Sequence, residues 1–155
     1  MASNATPKFI MPSLANFQNL ETGDFIFRGE KLKNSSKYYP LIANLCYGTV
    51  FDINETELGI TISNNDFLLD MSRKKKDNCI ASMWRLNSKL KDQYHQHWEL
   101  EQPDYGLFIL VNKNHCLKHT KDVLVQDGKG FRCVPWDTIK NDPEKKKFAY
   151  WHIIV

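Results

Sequence analysis

An all-β fold assembled from three repeated units is what the 155-residue sequence predicts, on three observations. Short runs alternate apolar and polar residues with a period of two, the mark of a half-buried strand. Helical periodicity is scarce: the stretch 85–97 is charged and short, and carries no apolar stripe of period 3.6. Large aromatics recur at the start of similar runs, Phe51 in VFDIN, Trp98 in YHQHWELE and Trp151 in YWHII, spaced by 47 and 53 residues.

Each element follows from its residues. GITISNNDFLLDM at 59–71 and GLFILVNKNHCLKH at 106–119 each open with a strand, pass an Asn-rich step and resume with an apolar run, so both read as hairpins. A polar stretch follows each (SRKKKDN, QDGKG), then an apolar segment ending in Trp (CIASMW to Trp84, FRCVPW to Trp136), a charged loop, and a closing strand at Trp98 or Trp151. The first third, with FIMPSLANFQNL, GDFIFRGEKL and GTVFDIN, fits the same scheme without its Trp before the closing strand. Its loop EKLKNSSKYYP places Tyr38-Tyr39 either on a partner surface or in the lid of the barrel. Units that cannot cover their own apolar faces must pack together, which points to a single β-trefoil domain, residues 1–155. Its three four-stranded units, about 8–55, 56–104 and 105–155, are related by pseudo-threefold symmetry.

Composition narrows the function. Hydrophobic residues at 42% and charged residues at 25% are ordinary for a globular chain, and a net charge of +3 is too mild to predict a nucleic-acid partner. The segment MASNATPKFIMPSLANF lacks a basic stretch leading into an apolar one, and no run reaches membrane-span length, so the expectation is a soluble protein, cytoplasmic or secreted, with no visible signal peptide. The four cysteines, Cys46, Cys79, Cys116 and Cys133, show neither a CxxC pair nor a His at zinc-ligand spacing. No metal and no cofactor is expected; the four cysteines read first as buried or free thiols, with Cys116 and Cys133 the pair within one unit that a disulfide could join. The five histidines are scattered and no catalytic motif is present, so a binding role is favoured over an enzyme.

Leu68-Leu69-Asp70, the apolar strand ending in Trp84, and Gln96-His97-Trp98 together resemble one repeat of the ricin B-type β-trefoil lectins, whose repeats carry a Cys-Leu-Asp-like step and a Gln-x-Trp signature. The resemblance implies a carbohydrate-binding lectin with glycan or glycoprotein partners. Asp70 would accept hydrogen bonds from sugar hydroxyls, Trp84 would cover the C–H face of the ring, His95 would complete the clamp, and Gln96 would support the loop. His95 stands where the family usually has Asn. The third unit departs further: Lys118 falls at the place matched to Asp70, and Phe148-Ala149-Tyr150 precedes Trp151, which implies one working sugar site, in the second unit.

Other readings compete with each of these. Trp98 and Trp151 are core residues on size and position. Trp84 divides between core and ligand platform, and Asp70 between ligand contact and a local turn cap. Arg73-Lys74-Lys75-Lys76 and Lys145-Lys146-Lys147 are solvated loop runs or contacts for an acidic ligand. A protein-binding module, such as a protease inhibitor or cytokine-like ligand acting through Gly128-Lys129-Gly130, is the alternative function. A further rival takes TGDFIF at 22–27 and Asp77-Asn78-Cys79 as similar to papain-like cysteine hydrolases, and requires a helix over IASMWRLNSKL.

Overall fold

A computed structural model describes residues 11–34, 36–71, 79–116 and 120–155, with the backbone alone at 115 and 116. Twelve strands are formed: β1 (Leu14–Asn19), β2 (Phe25–Arg28), β3 (Tyr38–Asn44), β4 (Phe51–Thr56), β5 (Gly59–Asn64), β6 (Phe67–Met71), β7 (Ala81–Trp84), β8 (Trp98–Asp104), β9 (Leu107–Asn112), β10 (Asp122–Asp127), β11 (Gly130–Pro135) and β12 (Trp151–Ile154). Between them, among the described residues, lie single helical turns, α1 (Leu90–Gln93), α2 (Trp136–Ile139) and α3 (Pro143–Lys146), with 3-10 turns at Tyr94–Gln96, Lys113–Cys116 and Lys147–Ala149.

Antiparallel pairing closes six of the strands into a ring, in the order β1, β4, β5, β8, β9, β12 and back to β1. The other six form the hairpins β2–β3, β6–β7 and β10–β11. These hairpins are tied to one another. β3 pairs with β7 from Tyr38 opposite Trp84 to Pro40 opposite Ser82, Ile80 bridges to Arg132, and the Ala43 amide donates to the Lys129 carbonyl at 2.8 Å.

The alternation predicted from sequence orients the ring. In β4, Phe51 and Ile53 point inward while Asp52 and Asn54 face out. Phe17, Phe51, Trp98 and Trp151 meet Ile26, Leu69, Met83 and Leu124 from the hairpins in one core, so that ring and hairpins share a single apolar interior. Each closing tryptophan is fixed by its indole N–H: Trp98 donates to the Leu69 carbonyl at 3.0 Å and Trp151 to the Leu124 carbonyl at 3.1 Å. Phe51 has no such donor, and the Ile26 carbonyl instead accepts from the Thr49 amide at 3.0 Å.

A buried asparagine faces each tryptophan across the ring. Asn112, opposite Trp98, donates to the His95 carbonyl, and Asn19, opposite Trp151, donates to the Phe148 carbonyl, both at 2.9 Å. Each asparagine therefore pins the main chain three residues ahead of a tryptophan. An isolated amide at zero exposure would be costly, and these contacts satisfy it.

Three sequence expectations are corrected, and one rival reading loses the helix it required. Of the segment 106–119, expected as a hairpin, the described residues hold β9 and the 3-10 turn Lys113–Cys116, and the strand that pairs back onto β9 is β10, from Asp122. QDGKG is not a loop following that hairpin but the turn of β10–β11, where Gly128 adopts φ +62°. Trp136 does not end a strand, because Pro135 has an extended backbone and the chain turns into α2 at Trp136 itself. IASMWRLNSKL is strand over Ala81–Trp84, which leaves the hydrolase rival without its helix.

Candidate functional site

The β6–β7 hairpin carries Asp70 and Trp84, and the 3-10 turn before β8 carries His95 and Gln96. Asp70 sits directly across from Ser82, and the Ser82 hydroxyl accepts from the Trp84 indole N–H at 2.8 Å. Residues two apart on a strand share a face, as do cross-strand partners, so Asp70, Ser82 and Trp84 form one continuous polar-aromatic run. Asp70 is 6% exposed and its charge is felt below: the buried Cys133 thiol is pushed up by desolvation first, then by Asp122, Cys79 and Asp70.

Trp84 is half-buried. Tyr38 stacks on it with ring centroids 5.2 Å apart and planes inclined by 20°, so one face of the indole is already taken. Here the YY pair of the first unit resolves into lid residues, with Tyr38 on Trp84 and Tyr39 edge-on to Phe67 at 4.8 Å.

Gln96 is wholly buried and makes a two-way clamp. Its amide donates to the Arg85 carbonyl at 2.7 Å and its oxygen accepts from the Asn87 amide at 2.8 Å, which fastens the loop leaving Trp84. Gln93 adds a bond to the Asn87 carbonyl at 2.9 Å. The His97 ring nitrogen Nδ1 lies 2.6 Å from the Gln93 carbonyl and so carries the proton there. His95 is buried as well, and its main chain is held by Asn112. The structure thus sets Asp70 across from Ser82, the acceptor of the Trp84 indole, and ties Gln96 to the loop after Trp84; His95 has its main chain held by Asn112.

The third unit is built differently at the matching positions. The two indole–carbonyl bonds equate Leu69 with Leu124, so Val125 is the counterpart of Asp70, and cross-strand register makes Val134 the counterpart of Trp84. This corrects the match of Asp70 to Lys118, which lies outside the described residues; the extra turn after β9 displaces the alignment. Val125, Val134, Trp136, Ile139, Ala149 and Tyr150 pack into a second apolar cluster. A cavity of about 490 Å³ lies against Val125, Val134 and Phe148, and its polar edge is already engaged, Arg132 with Asp127 at 2.9 Å and Gln126 with Asp24 at 2.8 Å.

Sequence reading missed the two clasping asparagines, although each closes its strand opposite a tryptophan. It also missed an open cleft of about 790 Å³ where Thr61 and Ser63 of β5 face Leu86, Leu90 and Gln93. Arg73-Lys74-Lys75-Lys76 and the Cys116 side chain, and with it the Cys116–Cys133 pairing, lie outside the described residues. Cys46 and Cys133 are free thiols. Among the described residues no group of three or more His, Cys, Asp or Glu side chains is placed to hold a metal ion, and no helix is long and apolar enough to cross a membrane.

The class that emerges is an all-β protein with a β-trefoil-like fold. Solved structures of that shape span nearly the whole chain. SeviL bound to asialo-GM1 saccharide matches with TM-score 0.61 and 19% identity, covering 92% of this chain and 96% of the other. A salivary protein of the cysteine- and tryptophan-rich family from the mosquito Culex quinquefasciatus matches at 0.69 and 12%, covering 94% and 95%. The designed threefold-symmetric protein ThreeFoil matches at 0.66 and 12%, covering 93% and 99%. At these identities the likeness concerns the fold. No family model and no curated protein matches the sequence.

Proposed function

We propose that this chain is a carbohydrate-binding β-trefoil of three four-stranded units, about 8–55, 56–104 and 105–155, with one working sugar site in the second. Asp70 is its hydroxyl acceptor, Trp84 its aromatic wall, His95 the polar neighbour, and Gln96 the clamp that holds the intervening loop. The observation that carries this reading is the asymmetry between units. Asp70, Ser82 and Trp84 are linked in the second unit, where the third has Val125, Arg132 and Val134. A pyranose offers vicinal hydroxyls on its edge and C–H groups on its face, and a carboxylate beside an indole addresses both. The saccharide held by SeviL supports the reading by analogy of fold. The action is binding, not catalysis.

The test is a glycan-array screen of the wild type beside Asp70→Ala and Trp84→Ala, with circular dichroism on each variant. Binding by the wild type that both variants lose is the expected result. Binding that survives Asp70→Ala but is abolished by substitutions at Gly128, Lys129 and Gly130 would replace this reading with a protein-binding module.

A further inference from the structure

On the core-side face at the end of the β6–β7 hairpin, three cations gather over two aromatic rings. The Arg28 guanidinium lies 4.1 Å from the centre of the Tyr39 ring, the Lys31 ammonium 5.2 Å from Tyr39 and 5.8 Å from Phe67, and the Arg85 guanidinium 5.0 Å from Phe67. The two ring centres are themselves 4.8 Å apart, so the positive groups belong to one cluster. None of the three is paired with a carboxylate among the described residues. Glu30 and Asp66 are the acids beside it in the chain, and both are exposed.

The third unit's basic run provides the contrast. Lys146 pairs with Asp104, Lys147 with Glu144 and Glu21, and nearby Lys140 with Asp137. Those cations are neutralised within the protein. Arg28, Lys31 and Arg85 are gathered by rings and meet no carboxylate among the described residues. Like charges brought together without counter-charge weaken the fold, and a bound anion relieves that repulsion. Rings that carry the stems also hold the cations in place, which lowers the entropy lost on binding.

We propose that this cluster binds sulfate ester groups of an acidic saccharide. The proposal rests on the carbohydrate reading above for the nature of the ligand. Arg85 follows Trp84 directly and its carbonyl is the one Gln96 holds; because neighbours along a strand face opposite sides, the cluster lies on the face of the β6–β7 hairpin opposite to Asp70 and Trp84. A sulfate monoester presents several acceptor oxygens, which suits guanidinium and ammonium donors.

The experiment measures binding to immobilised heparin, to chemically desulfated heparin and to phosphatidylserine-containing vesicles, at low and high salt. The proteins are the wild type, a triple variant Arg28→Gln, Lys31→Gln and Arg85→Gln, and a charge-matched control Lys140→Gln, Lys145→Gln and Lys147→Gln. Glutamine retains much of each stem over the rings. The expected result is heparin binding that falls at least about tenfold on desulfation and at least about tenfold in the triple variant, weakens with salt, and changes less than about threefold in the control. If thermal melts show the triple variant unfolded, exposed Arg85→Gln alone is read, with an expected loss of about threefold.

Equal binding of sulfated and desulfated heparin overturns the proposal, as does a control that loses as much as the triple variant. Vesicle binding without heparin binding assigns the cluster to a lipid surface instead. Array binding that needs Asp70 and Trp84 yet ignores sulfate removes this proposal and leaves the carbohydrate reading standing. Absence of any saccharide ligand, neutral or sulfated, removes both.

Discussion

The segments that close at Trp98 and at Trp151 keep the same frame and fill it oppositely. In both, an indole N–H reaches a carbonyl of the adjoining hairpin, and an asparagine across the ring pins the chain three residues before the tryptophan. Outside that frame, Asp70, Trp84, His95 and Gln96 are replaced by Val125, Val134, Phe148 and Ala149. The third unit turns the same positions into a small apolar core capped by Trp136. Inward positions and their clasps maintain the fold, and the outward positions are at liberty to become either a polar site or further packing.

The comparison breaks most severely at the tryptophans. Trp98→Ala and Trp151→Ala remove buried side chains of equal size and equal bonding, and each is expected to lose about 3–5 kcal/mol in urea unfolding. Losses differing by more than about half would show that the two units do not share one frame. Next come the clamp positions. Gln96→Ala orphans the Arg85 carbonyl and the Asn87 amide, with an expected loss of about 1–3 kcal/mol and of glycan binding. The mirror change Ala149→Gln forces an amide into a filled core, and is expected to lose about 1–3 kcal/mol and to create no binding.

Trp98→Phe is milder. Phe51 shows that the ring accepts a phenyl group at a closing position, so the change removes one bond to the Leu69 carbonyl and is expected to cost about 1–2 kcal/mol. The smallest effect is one of pH. The Tyr150 hydroxyl donates to Asp104 at 2.7 Å and Lys146 stands 3.2 Å from the same oxygen, which holds the Asp104 carboxyl below its ordinary range. A depressed carboxylate adds stability above its unfolded-state titration range and loses it as pH falls through the folded-state value. Denaturation of Tyr150→Phe is therefore expected to differ from wild type slightly at neutral pH, with the difference shrinking in acid. A gap that widens in acid would exclude the Asp104 contact as its cause.

Much of the frame was legible in the residues. Phe51, Trp98 and Trp151 all open strands of the ring. The match of Asp70 to Lys118 failed because the 3-10 turn Lys113–Cys116 delays the returning strand, and a pattern read along the chain cannot register an inserted turn. Only the Leu124 carbonyl under Trp151 reveals that Val125 is the equivalent position. Nor does local sequence disclose that Tyr38 covers Trp84, since 46 residues separate them and the contact exists only once β3 and β7 pair. The same holds for the cations over Tyr39 and Phe67.

The ring is sealed between β1 and β12, where Asn19 stands opposite Trp151 and Asn16 opposite Ile154. That seam joins segments more than a hundred residues apart, so the chain must pay most of its loop-closure entropy before the last pair of strands can form. Such a topology places folding on the millisecond-to-second scale, as in other sheets dominated by distant pairings. Until the seam closes, β1 and β12 expose unpaired edges that nothing in the finished molecule displays. Newly made chains are therefore most exposed to mispairing during that interval.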